Sequence, residues 1–150
     1  MNVEIIAVDK LRESYIREGC RLYEKRLRPL MPVSVHEVRP STARDGVDKE
    51  GVGILRQVRD DDIVWALDAR GRSLSSTDLA RKISETGRSG RRRLALTIGG
   101  VHGLSQAVIK RANFVWSLSE LTILHEMARL IVFEQLYRAV KINRGEPYHM

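Results

Sequence analysis

Three glycines in the stretch LTIGGVHGLS, residues 96 to 105, are the first residues of this chain that could do chemistry. Gly99-Gly100 follow a run that reads as buried strand, and Gly103 precedes what reads as a helix. Glycines between a strand and a helix expose bare backbone N–H and C=O groups to whatever approaches. Their spacing is not the G-x-G-x-x-G of a dinucleotide site, and no Gly-Lys-Ser/Thr follows as in a phosphate-binding loop. Two readings remain: a planar, weakly charged group such as adenine, or a turn tightened only for packing. Leu118, Leu121 and Ile123, in LSELTI, would give such a group an apolar wall. Leu67-Asp68 ends another strand whose following loop would share that edge.

The groups able to move a proton are four histidines, His36, His102, His125 and His149. They show no metal-ligand spacing and there is no C-x-x-C, so no metal is expected. His125 opens a long apolar helix, where it could cap, pack or act as a base. The tail RGEPYHM ends with Tyr148, whose ring can stack on a base, and His149, whose nitrogen can take a proton. A frayed end is the plain alternative. The formal charge of +7 favours an anionic partner, with nucleic acid first. Arg70 and Arg72 follow a strand and are expected on a loop at the glycine edge, where they could contact RNA. Arg91, Arg92 and Arg93 precede a strand and belong to the opposite edge. Arg17, Arg21, Lys25 and Arg28 share one helix face. With Glu13, Glu18 and Glu24 among them, that face is either an anion contact or simply solvated.

These residues need a scaffold. Strands are expected at residues 2–8, 33–39, 61–68, 93–98 and 114–119, with ARGR as the loop after the third. Helices are expected at 10–27, 47–59, from the Ser75-Ser76-Thr77-Asp78 cap to about Glu85, at 104–112 and at 125–141. The alternation predicts an α/β fold, a three-layer sandwich with a mainly parallel sheet, as a single domain over 1–150. The last helix is apolar nearly all round (Met127, Leu130, Ile131, Val132, Phe133, Leu136, Tyr137, Val140), with a favourable Glu134–Arg138 pair. A homodimer built largely on that helix is expected. With 43% apolar and 30% charged residues the composition is that of a soluble globular chain. No apolar run is long enough to span a membrane, and MNVEIIAVDK lacks the features of a signal peptide. The lone Cys20 excludes an internal disulfide. A cytoplasmic protein without a membrane partner is the expectation.

The segments LTIGGVHGLS, WSLSELTILH, MARLIVFEQLYRA and the terminal PYH resemble the ribosomal large subunit methyltransferase H family, within the SPOUT superfamily of S-adenosylmethionine enzymes. The resemblance spans the chain and is strongest from Leu94 to His149. It implies a SPOUT-type α/β knot, a C-terminal trefoil, and a homodimer. The implied reaction is methyl transfer to N3 of a pseudouridine in 23S ribosomal RNA, in the intersubunit stem-loop, on ribosomes. By motif, Leu67, Gly99 and the run Leu118, Ser119, Glu120, Leu121, Thr122, Ile123 would hold S-adenosylmethionine, with Gly100 lining the same pocket. The tail would lie over the active site. Two positions depart from the family pattern: Leu124, often proline, and Met150, often basic.

Such a reaction needs an acceptor for the N3 proton. His149 is the first choice and His125 the second, with Tyr148 alongside. Arg129 or Arg144 could stabilise the developing anion, and Arg144 joins Arg70 and Arg72 as an RNA contact. The competing functions are an RNA-binding module without catalysis and an ordinary nucleotide-dependent enzyme.

Overall fold

The computed structural model describes residues 1–148. Along the chain come β1 (Asn2–Val8), α1 (Ser14–Leu27), β2 (Val33–Val38), α2 (Gly46–Gln57) and β3 (Ile63–Ser73). They are followed by α3 (Ser76–Arg88), β4 (Arg93–Ile98), α4 (Gln106–Arg111), β5 (Phe114–Ser117) and α5 (His125–Asn143). The strands form one sheet in the order β2-β1-β4-β3-β5, and every pairing is parallel. The expected α/β sandwich is therefore present. No described helix is long and apolar enough to cross a membrane.

The strands read as apolar runs because helices cover both sheet faces. Val3, Ile5 and Ala7 of β1, with Leu94, Leu96 and Ile98 of β4, pack on the side of α1, α3 and α5. Ile6, Val8, Val64, Ala66 and Ala95 pack on the side of α2 and α4. The one hydroxyl buried within β4, Thr97, donates to the Trp65 carbonyl at 3.2 Å. Ser75 caps α3, accepting from the Asp78 amide at 3.1 Å.

Two elements differ from the sequence reading. α1 starts at Ser14 rather than at residue 10. Asp9 sits at φ +72°, which turns the chain before a helix can form. The amides of Arg12 and Glu13 then donate to a distant acceptor, Oε1 of the buried Glu126, at 2.6 and 3.1 Å. β3 does not end at Asp68 but runs to Ser73, so ARGR is not a plain loop. Leu67 and Arg72 both register with Trp116, so residues 68–71 leave the ladder as a bulge and pairing resumes at Arg72 and Ser73. Gly71 allows this, because a Cβ there would lie 2.6 Å from the Val115 carbonyl oxygen. A run of charged residues on a strand extension carries no apolar alternation, and so it reads as loop.

α5 lies against both α1 and α3. Val132, Phe133, Leu136, Ala139 and Val140 are buried, and Phe133 is only 1% exposed. Phe133 thus belongs to the chain's own core and not to a surface offered to a partner. The apolar residues that α5 leaves partly exposed are Met127, Leu130, Ile131, Tyr137 and Ile142. Leu130 packs so closely on Gly19 of α1 that an added Cβ would lie 2.8 Å from its Cδ1. Tyr15 and Leu22, 57% and 46% exposed, flank that contact one turn to either side.

Candidate active site

Parallel strands bring their carboxyl ends to one edge, and there β3, β4 and β5 surround a cleft of about 260 Å³. The glycine turn forms one wall, the 118–123 segment another, and the first turn of α5 closes the base. Of the residues expected to hold a cofactor, Leu67, Gly99, Gly100, Leu118, Ser119, Leu121, Thr122 and Ile123 line it. Glu120 does not; it is exposed. His125 lines the cleft. Leu121 is an apolar side chain 74% exposed there.

The glycines are explained first by the turn itself. A Cβ on Gly99 would lie 2.4 Å from the carbonyl of Gly103, and Gly103 sits at φ +79°. The Gly103 amide closes the turn on the Gly100 carbonyl at 3.1 Å. Gly99 is thus fixed by backbone touching backbone rather than by space kept for a ligand. The tight turn and the cleft wall are the same structure.

Sequence reasoning missed Asp68, Ala69, Val101 and Ala128, which also line the cleft. The signal for Asp68 was present: an acid at the carboxyl end of a buried strand. Arg70 holds it in a two-pronged contact, Nε and Nη2 at 3.0 and 2.9 Å, and the Arg70 amide adds a bond at 2.8 Å. These hydrogen bonds outweigh burial and hold the Asp68 carboxyl below the usual carboxylate range. The rim of the cleft therefore carries an Asp68–Arg70 ion pair. Arg72 is exposed on the same strand extension.

The remaining expected residues are not gathered here. Arg129 directly follows the cleft-lining Ala128, but it turns away to Glu37, with Nη1–Oε2 at 2.6 Å, and to the Asp9 carbonyl at 2.7 Å. Tyr148 docks on the far half of α5. Its hydroxyl lies 3.2 Å from that of Tyr23 and 3.1 Å from Glu134 Oε1. Its ring meets Tyr137 edge-on at 4.9 Å, under the Arg138 guanidinium at 4.8 Å. Burial, then the Tyr23 bond and the Glu134 charge, push its phenol well above the ordinary range, so it stays protonated. From His125 to Tyr137 the helix rises roughly 18 Å, so Tyr148 stands well away from its own chain's cleft. Arg144 is farther still, at the C-cap of α5, paired with Glu146 at 2.5 Å. His149 and Met150 lie outside the described residues.

The family profile described as "Predicted SPOUT methyltransferase" matches residues 1–149. The chain belongs to the SPOUT methyltransferase family. It is 43% identical to Ribosomal RNA large subunit methyltransferase H of Carboxydothermus hydrogenoformans and 41% identical to the protein of that name from Bifidobacterium adolescentis. Each alignment covers 99% of both chains. Among solved structures, a probable methylase family protein from Haemophilus influenzae superposes with a TM-score of 0.60 at 16% identity, over 99% of this chain and 70% of that one. A probable methyltransferase from Bordetella pertussis gives a TM-score of 0.58 at 13% identity, over 93% and 96%. These two likenesses speak for the SPOUT fold, and the family resemblance read from the motifs is confirmed by the profile and the relatives.

Proposed function

We propose that this SPOUT methyltransferase transfers a methyl group from S-adenosylmethionine to N3 of a pseudouridine in 23S ribosomal RNA, on assembled ribosomes and as a homodimer. The observation that carries the reading is the cleft: an uncovered apolar wall and a glycine turn at the carboxyl edge of a parallel sheet, in a chain akin to ribosomal RNA methyltransferases. Leu67, Leu118, Leu121 and Ile123 suit the adenine face, and backbone groups of the 99–101 turn suit its edge. When bound, S-adenosylmethionine supplies an activated methyl electrophile.

The chain itself has to hold the pseudouridine ring in line and take its N3 proton. Alignment of this kind can contribute on the order of 7–11 kcal/mol. His125, at the cleft, accepts the proton on a ring nitrogen; His149 is the other candidate, on the tail beyond Tyr148. Arg129 supports the site indirectly, by fixing the first turns of α5 against β2. The trefoil knot belongs to this proposal, as does the dimer, formed on the strip of Tyr15, Leu22 and Leu130.

The test is tritiated methyl transfer to ribosomes that lack the modification, with the product nucleotide mapped by mass spectrometry. Wild type should label one pseudouridine of 23S RNA at N3. His125→Ala should lose about 100-fold or more in single-turnover rate while still binding S-adenosylhomocysteine. Labelling of a different base, or of none, would overturn the reading. Full activity in His125→Ala would move the proton to His149, and deletion of residues 147–150 would then carry the loss.

A further inference from the structure

A second concavity, of about 430 Å³, opens between α1, β2 and α5. Its walls carry four cations, Lys10, Arg17, Arg21 and Arg129, against Glu24 and Glu37. Glu37 is already committed to Arg129. Arg129 is 4% exposed, and its Nε has no hydrogen-bond partner. Among the described residues, the side chains of Lys10 and Arg21 make no hydrogen bond or ion pair, and Arg17 gives one hydrogen bond, to the Leu11 carbonyl at 3.1 Å. Arg17 and Arg21 stand one helical turn apart, an arrangement that destabilises a helix unless an anion lies between them.

We propose that this second cleft binds a backbone phosphodiester of the RNA whose base enters the first. The inference rests on the ribosomal RNA reading above. Two guanidinium groups without an acidic partner, those of Arg17 and Arg21, line the cleft, and planar forks of this kind match phosphate oxygens in a way that a scatter of lysines does not. Arg129, committed to Glu37 and the Asp9 carbonyl, adds its charge to the wall. Cys20, also in the wall, adds no opposing charge: burial pushes its thiol up to about 11, against a smaller pull from Arg129. The location fits a single ligand. Ala128 lines the methyl-transfer cleft and Arg129 the basic one, so one turn of α5 is the partition between them. A strand crossing that partition puts a base on one side and its backbone on the other. Of the acids on α1, only Glu24 lines this cleft.

The experiment uses the full-length protein and a stem-loop RNA, with affinity followed by fluorescence anisotropy between 50 and 200 mM salt. Arg21→Ala should make the log–log salt slope shallower by about 0.7–0.9, and Arg17→Ala/Arg21→Ala by about twice that. Arg21→Lys should keep most of the slope. S-adenosylhomocysteine affinity should not change, and KM for ribosomes should rise with kcat held within about twofold. Replacing the loop phosphates by neutral methylphosphonates should reproduce the loss on wild type and add nothing in the double variant. If inorganic phosphate shifts the Arg21 Nε resonance at sub-millimolar concentration while Arg21→Ala leaves the RNA slope unchanged, the cleft takes free phosphate and the proposal fails. If wild type methylates ribosomes and both variants keep its slope, this site fails alone. If wild type neither binds nor methylates RNA, the functional reading fails with it.

Discussion

Glu126→Ala should be among the costliest single changes in this chain, although Glu126 touches no ligand. Its buried carboxylate accepts the amides of Arg12 and Glu13, at 2.6 and 3.1 Å, just where α1 begins. No side chain of α1 itself caps that end. Hydrogen bonds to a charged acceptor contribute roughly 1.5–3 kcal/mol each. Arg12 and Glu13 are exposed, so water would replace part of that, leaving a loss of about 2–4 kcal/mol. Glu126 is also the second residue of α5, where a negative charge adds roughly 0.3–1 kcal/mol. For a chain of this size Tm should fall by about 5–20 °C. Urea unfolding at fixed protein concentration should show a lower midpoint at unchanged m. Glu126→Gln keeps an acceptor oxygen and should recover about half the loss. The functional consequence follows from position: His125 and Ala128, on either side of it in sequence, line the cleft. Glu126→Ala should therefore weaken S-adenosylhomocysteine binding even at temperatures where it is folded. A loss below ~1 kcal/mol, or Glu126→Gln behaving like Glu126→Ala, would refute the capping argument.

At the opposite sheet edge, burial works against the charge of Asp62, but Arg93 at 2.7 and 2.9 Å and the Arg59 amide hold its carboxyl below the ordinary range. A lowered carboxylate contributes stability that is present above its unfolded pKa and lost as pH falls through the folded one. Asp62→Asn should thus be less stable at pH 7 and show a flatter loss below about pH 4 in acid titrations of urea midpoints; an acid limb as steep as wild type would exclude this. Ala69, exposed at the cleft rim, allows Ala69→Trp to fill the cleft without entering the core. Calorimetry should find a folded protein with S-adenosylmethionine binding lost; unchanged affinity would place the ligand elsewhere. Leu22→Glu, on the apolar strip, should give a folded monomer in sedimentation, whereas Phe133→Asp, in the core, should unfold the chain. A wild-type chain that is monomeric at micromolar concentration would remove the dimer.

Local and periodic features were legible without coordinates. β1 and β4 are apolar on both faces and could be read with boundaries within a residue, and the Ser75 cap placed the start of α3, although that helix runs three residues past the expected Glu85 to Arg88. The α/β alternation carried the parallel sheet, and a parallel sheet carried the edge on which loops must converge. That is why eight of the nine expected cofactor residues meet in one cleft. Other features depend on distant partners and left no local pattern. The start of α1 is decided by a carboxylate at residue 126, and the bulge at 68–71 by Gly71 against Val115. Arg129 reads as a free cation one turn into a helix, yet the fold commits it to Glu37 and Asp9, more than 90 positions away, and makes it a wall of a second cleft. Gly99 looked like room for a ligand and proved to be room for Gly103. Helical and strand periodicity are written in neighbouring residues, because backbone sterics act over a few bonds. Which charge meets which partner, and which side of a helix faces a cleft, is set only when the layers close and burial forces each polar group to find one.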